Sequence, residues 1–110
     1  MIYNSWDVVL VPFPFTERNA AKKRPALVIN KPDYQINTSH IILLMITSAN
    51  KSNWNSDINI DDLQSAELPH PSVVRFKIFS LDERFIIKKL GNLSQNDRQK
   101  IKQNLNNVLF

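Results

Sequence analysis

One glycine, Gly91, serves a chain of 110 residues. Tight turns and phosphate-cradling loops draw on glycine because it enters left-handed backbone conformations without steric cost. A chain this poor in it cannot build the G-x-S-x-G elbow of a serine hydrolase or a Walker loop, both of which need glycines at fixed places. Thirteen asparagines stand beside that glycine. Asparagine tolerates left-handed geometry better than other side chains, so it is expected at some of the turn positions with positive φ.

The rest of the chain reads as short strands. "VVLVPFPF" (8 to 15) is β-branched and aromatic, but Pro12 and Pro14 cannot donate to ladders on both sides, so a strand ends near Phe13. "TERNAAKK" has no periodicity and reads as an exposed loop. "PALVIN" (25 to 30) is the second strand, closed by the turn-like "NKPD". "HIILLMITS" is apolar nearly throughout, which predicts a third strand buried on both faces. A long polar connection leads to "DINI", a short fourth strand, and "LPHP" punctuates the chain before "SVVRFKIFSL", where alternation predicts a cationic edge at Arg75 and Lys77. "DERFIIKKLGNLS" fits either a strand or a helical turn. Ser94 precedes Asp97 at capping-box spacing, and Ile101, Leu105, Val108 and Leu109 fall on one face, which predicts an amphipathic C-terminal helix. Several short strands and a terminal helix, without long βαβ repeats, indicate a mainly β domain over residues 1–110: a small antiparallel barrel with helices laid on it.

Size and charge narrow the function. A chain of this length with 43% hydrophobic residues holds one core, so one fold carries the whole activity. A net charge of +4 and a pI near 9.6 favour an anionic partner. Absence of cysteine excludes disulfides, thiolate catalysis and thiolate metal sites. His40 and His70 lie far apart with no ligand spacing, and Asp57, Asp61 and Asp62 read as surface acids, so no metal and no cofactor is expected. The start of the chain has no basic leader, and "IILLMI" is too short to span a bilayer, so a cytoplasmic protein is expected.

What remains is guanidinium and hydroxyl chemistry. Arg24 offers a planar fork of donors suited to a phosphate, and Pro25 fixes the backbone beside it. Thr47 and Ser48 place hydroxyls at the end of another strand. Were the two strand ends adjacent, Arg24 would hold a phosphodiester while Thr47 hydrogen-bonds one of its oxygens. Charge before a strand is more often a solvated edge, and "TS" after an apolar run more often begins a turn; the residues alone leave both readings open.

The ordered set "WDVVLVPFPFT", "KKRPALVI", "LLMITS", "SVVRFKIFSLD" and "KKLGNLS" resembles the PemK/MazF family of toxins from toxin–antitoxin pairs across essentially the whole chain. The resemblance implies an SH3-like barrel, a homodimer, metal-independent cleavage of single-stranded RNA and silencing by a cognate antitoxin. It places the catalytic pair on Arg24 and Thr47, with attack by the ribose 2′-hydroxyl on the adjacent phosphorus. It also implies that Phe15, Thr16, Arg18, Lys22, Lys23, Ser48, Arg75 and Lys77 contact RNA. Single-strand binders often stack bases on aromatic rings, which suits Phe15 or Trp54; the other reading puts Phe15 in the core with Trp54 covering it. One departure stands out, since the family usually has glycine before the aspartate of its opening strand and this chain has Trp6 before Asp7. Alternatives within the same architecture are a gyrase poison of the CcdB type and a catalytically silent binder of RNA or antitoxin.

Overall fold

The computed structural model describes residues 1–13 and 22–110. Six strands form one antiparallel sheet: β1 (Asp7–Phe13), β2 (Lys22–Val28), β3 (His40–Ser48), β4 (Ile58–Asn59), β5 (Ser72–Asp82) and β6 (Lys88–Asn92). Their spatial order is β4-β5-β3-β2-β1-β6, and the sheet curls into a half-barrel. Three helices accompany it: α1 (Pro32–Thr38), α2 (Leu63–Ala66) and α3 (Gln95–Leu109). Among the described residues, no helix is long and apolar enough to cross a membrane.

Alternation along the strands builds two cores, one on each face of the sheet. Val8, Leu27, Leu44, Ile46, Val74 and Phe76 meet Leu93 and Ile101 on one face. Val9, Val11, Ala26, Val28, Ile41, Leu43 and Leu81 meet Tyr3 on the other. The expectation that β3 is buried on both sides is met, because its side chains divide between the two clusters. Each fully buried Leu or Ile contributes roughly 1.5–3 kcal/mol, so this two-sided burial is the main source of stability. Opposite Leu44 and Met45 the β3–β5 register jumps from Ile78 to Arg75, leaving Phe76 and Lys77 as two extra residues. An insertion of two keeps the alternation in phase on both sides of the irregularity.

The remaining boundaries have local causes. β1 pairs with β6 only over Asp7–Leu10 but stays with β2 to Phe13, so Pro12 lies where one side of the strand has already left the ladder. The segment after β5 resolves into a 3₁₀ turn, Glu83–Phe85, followed by β6. The second strand begins three residues before the expected Pro25 and ends at Val28, because the Asn30 side chain takes over, with Oδ1 accepting from Ile42 N at 2.9 Å. "NKPD" is the start of α1 rather than a simple turn: Pro32 occupies its first turn, and its buried residue is Gln35, which accepts from Tyr3 N and donates to Met1 O and Glu83 Oε1.

Asparagine does not take the left-handed positions among the described residues. Trp6 (φ 78°), Ser39 and Glu67 (both 57°) occupy them instead. Ser39 and Glu67 end α1 and α2, where a left-handed residue lets its N–H satisfy a helix carbonyl. Gly91 has no positive φ; it is needed for space, since a Cβ there would stand 2.4 Å from Ser65 O. Trp6 N donates to Val28 O at 2.7 Å and Trp6 O accepts from Leu93 N at 3.0 Å, so the strained residue is bonded on both sides while its ring packs on the first core. The turn is thus kept in a glycine-favouring conformation by a bulky residue, at a cost of about 1–2 kcal/mol.

α3 starts as its sequence predicts, with Ser94 Oγ accepting from Asp97 N, but the Asp97 carboxylate reaches outward. Buried to 1% exposure, it accepts from Asp61 N and Asp62 N at 3.0 Å each and pairs with Lys100 Nζ at 3.2 Å. Burial is the largest single influence and raises its pKa, yet the two backbone donors and Lys100 together hold it below the usual carboxylate range. Its stabilisation is therefore present in full above the unfolded value, about 3.9, and is lost as pH falls through the lower folded value.

Two predictions follow from these anchors. Trp6→Gly and Trp6→Ala both lose the ring, but only alanine retains the left-handed penalty; the glycine variant should unfold at the higher urea midpoint, by about 1 kcal/mol, and the reverse order would refute strain at this turn. Asp97→Asn should cost about 2 kcal/mol at pH 7, with the gap to wild type shrinking once pH falls below about 4. Urea titrations at pH 7 and pH 3 measure both quantities.

Candidate functional site

Pro25 determines where the site opens. Odd-numbered residues of β2 turn their N–H groups toward β3, as Ile29 N does to Ile42 O at 3.0 Å. Pro25 falls in that series and has no N–H to give. The β2–β3 pairing accordingly ends at Ala26 with Met45. Two residues further along the same register, Arg24 and Thr47 stand opposite each other beyond the last pair. One row of the sheet runs Val9, Ala26, Met45, Arg75; the next runs Val11, Arg24, then across the unzipped gap to Thr47 and Val73.

Alternation puts Arg24 and Thr47 on the face that carries Val11, Ala26 and Leu43. The Arg24 guanidinium lies over the Phe13 ring, 4.8 Å from its centroid. Among the described residues, Arg24 Nε is the buried side-chain nitrogen with no hydrogen-bond acceptor. Buried donors are normally satisfied, and leaving one unmade costs about 1–3 kcal/mol. Thr47 is buried at 8% exposure, and Ser48, half-buried, pairs with Ser72. Just beyond β3, Ser48, Asn50, His70 and Pro71 line an open depression of about 410 Å³.

The other expected contact residues divide into three groups. Lys22 and Lys23 are exposed at the start of β2, opposite Phe13 and Pro12, and Lys77 is exposed in β5. Arg75 is not a free cationic edge. Its guanidinium bonds Asp57 through Nε (3.3 Å) and NH2 (3.1 Å), and also donates to Lys51 O and Asn53 Oδ1. It holds the connection after β3 in place, a role that alternation along β5 does not signal. Phe15, Thr16 and Arg18 lie outside the described residues. Among the described residues, no three His, Asp or Glu side chains form a group able to hold a metal.

The fold is an open antiparallel half-barrel with a C-terminal helix, with an arginine and a threonine facing each other across a strand gap. The profile of the PemK-like, MazF-like toxins of type II toxin–antitoxin systems matches residues 4–109, and the chain belongs to that family. No curated protein sequence matches it. Similar solved structures include a MazE–MazF complex from Deinococcus radiodurans (20% identity, TM-score 0.76, covering 99% of this chain and 96% of that one). Another is an endoribonuclease in complex with its cognate antitoxin from a mycobacterial species (15% identity, TM-score 0.75, 98% and 93% covered). A third is the Mycobacterium tuberculosis toxin MazF-mt6 (14% identity, TM-score 0.72, 93% and 94% covered).

If the unpartnered Arg24 Nε is a structural burden, Arg24→Met, which keeps the stem but removes the donors, should leave stability unchanged or raise it by up to about 1 kcal/mol. A urea titration showing a loss above about 1 kcal/mol would instead make Arg24 part of the framework.

Proposed function

We propose that the protein is an endoribonuclease that cuts single-stranded RNA at the Arg24–Thr47 gap. The observation that carries this reading is a buried arginine nitrogen without an acceptor, placed in register with a threonine where the sheet has been unzipped. Arg24 binds the scissile phosphate and stabilises charge growing on its oxygens as the ribose 2′-oxygen attacks phosphorus. Thr47 donates its hydroxyl to a phosphate oxygen and fixes the angle of attack. The new P–O2′ bond replaces the P–O5′ bond; the 2′-hydroxyl releases a proton and the departing 5′-oxygen takes one up from solvent. The products are a cyclic phosphate and a free 5′-hydroxyl, with no co-reactant consumed and the nucleophile supplied by the RNA.

Lys22, Lys23 and Lys77 supply positive potential along the flanking strand, with Phe15, Thr16, Arg18 and Ser48 as further contacts. A cognate antitoxin is the natural partner for a toxin of this family, and the similar structures with antitoxin bound support it. A homodimer is supported by exposed apolar side chains at Ile36 (61%), Leu109 (51%) and Phe110 (97%), the kind of surface a second subunit covers.

The test is incubation of the purified protein with mixed-sequence single-stranded RNA in EDTA, with fragment ends mapped. Cyclic-phosphate ends are expected, and Arg24→Ala or Thr47→Ala should each slow cutting by about 10²- to 10³-fold. RNA left intact by a folded protein across varied sequences would defeat the nuclease reading.

A further inference from the structure

Arg75 sits one row from Thr47 on the same face of the sheet, since it pairs with Met45 while Thr47 pairs with Val73. Diagonal neighbours across an antiparallel pair lie about 7–8 Å apart. From there its side chain reaches into the connection that follows β3. Asp57 receives it with both carboxylate oxygens and also accepts from Ser52 Oγ at 2.9 Å and Trp54 N at 3.4 Å. The pair is well covered, with side-chain exposures of 15% for Arg75 and 2% for Asp57. Charge-assisted bonds of this kind are stronger than neutral ones and direction-specific, so the loop is held in one arrangement.

That arrangement presents Trp54. The Arg75 guanidinium lies over the indole, 5.1 Å from its centroid, while Trp54 as a residue remains 43% exposed. With the guanidinium over the ring, Trp54 still has surface open to an outside ligand. Trp54 belongs to neither core cluster, and a large aromatic held at a loop by its own backbone bond and backed by a cation is a rigid, amphipathic surface for a flat ligand. We propose that Trp54 is a base-stacking platform beside the cleavage site, held in place by the Arg75–Asp57 pair. Its ligand is an unpaired nucleobase flanking the phosphate at Arg24 and Thr47; stacking suits single-stranded RNA because its bases are free to splay out. This assignment rests on the RNA-cleaving reading above and adds a specific subsite to it.

The experiment uses Arg24→Ala protein, in which cutting is about 10²- to 10³-fold slower, titrated with a short fluorescent single-stranded RNA in low salt and followed by anisotropy within minutes of mixing. Adding Trp54→Ala should weaken binding about 5- to 100-fold, and Trp54→Phe should recover most of the loss. Asp57→Asn should weaken binding while leaving the Trp54 ring present, which separates positioning from mere surface area. Unaltered affinity in the Trp54→Ala protein, with cleavage by otherwise wild-type protein intact, overturns the platform and leaves the nuclease standing. No measurable RNA binding by folded protein, together with no cleavage, overturns both.

Discussion

The loss of a single backbone donor shapes the end of the sheet that carries the candidate site. β2 is hydrogen-bonded to β1 through Phe13 and Lys22 but to β3 only as far as Ala26, and the residue at which the second ladder stops is Pro25. A sheet whose central strands are buried on both faces has no room for a polar group along its length. Polar chemistry must therefore gather where pairing ends. Arg24, Thr47 and Ser48 do so, each at the first positions past the last shared pair, and the proline keeps the strands from zipping further over them.

Elsewhere the frame is built for closure. Asp97 joins α3 to the backbone leading into α2 with three charge-assisted contacts from one buried carboxylate, and Gly91 lets β6 lie directly against α2. Trp6 is bonded through both its N–H and its carbonyl, linking the start of β1 to Val28 and Leu93. These elements leave the Arg24–Thr47 end as the place where a backbone gap, an unsatisfied donor and exposed lysines coincide. A rigid frame with one open end is what transition-state positioning requires.

Much of this was legible in the residues. Strand identity followed from β-branched runs cut by proline, and the α3 start from Ser94 and Asp97. The Arg24 and Thr47 candidates came from their chemistry and the family resemblance, while their alignment needed the β2–β3 register. Other features were not legible for physical reasons. α1 buries a glutamine rather than an apolar stripe, so no 3.6-residue hydrophobic period announces it. The Arg75–Asp57 pair spans a loop, and local alternation carries no information about such long-range contacts. The left-handed positions do not follow composition because asparagine preference is a weak local bias, whereas the two helix ends and the bonded Trp6 turn impose their geometry on whatever residue is present.

The unpaired N–H of Arg24 Nε has a thermodynamic side as well. A folded-state site that lacks its acceptor gains from any small oxyanion that fits, while the unfolded chain has no such site, so ligand mass action acts on the folded form alone. A buffer oxyanion that bound there would enter the apparent folding free energy as a binding term. On the proposed reading of the gap as a phosphate site, melting temperatures compared between phosphate and a non-coordinating buffer would register its occupancy as well as the strength of the fold.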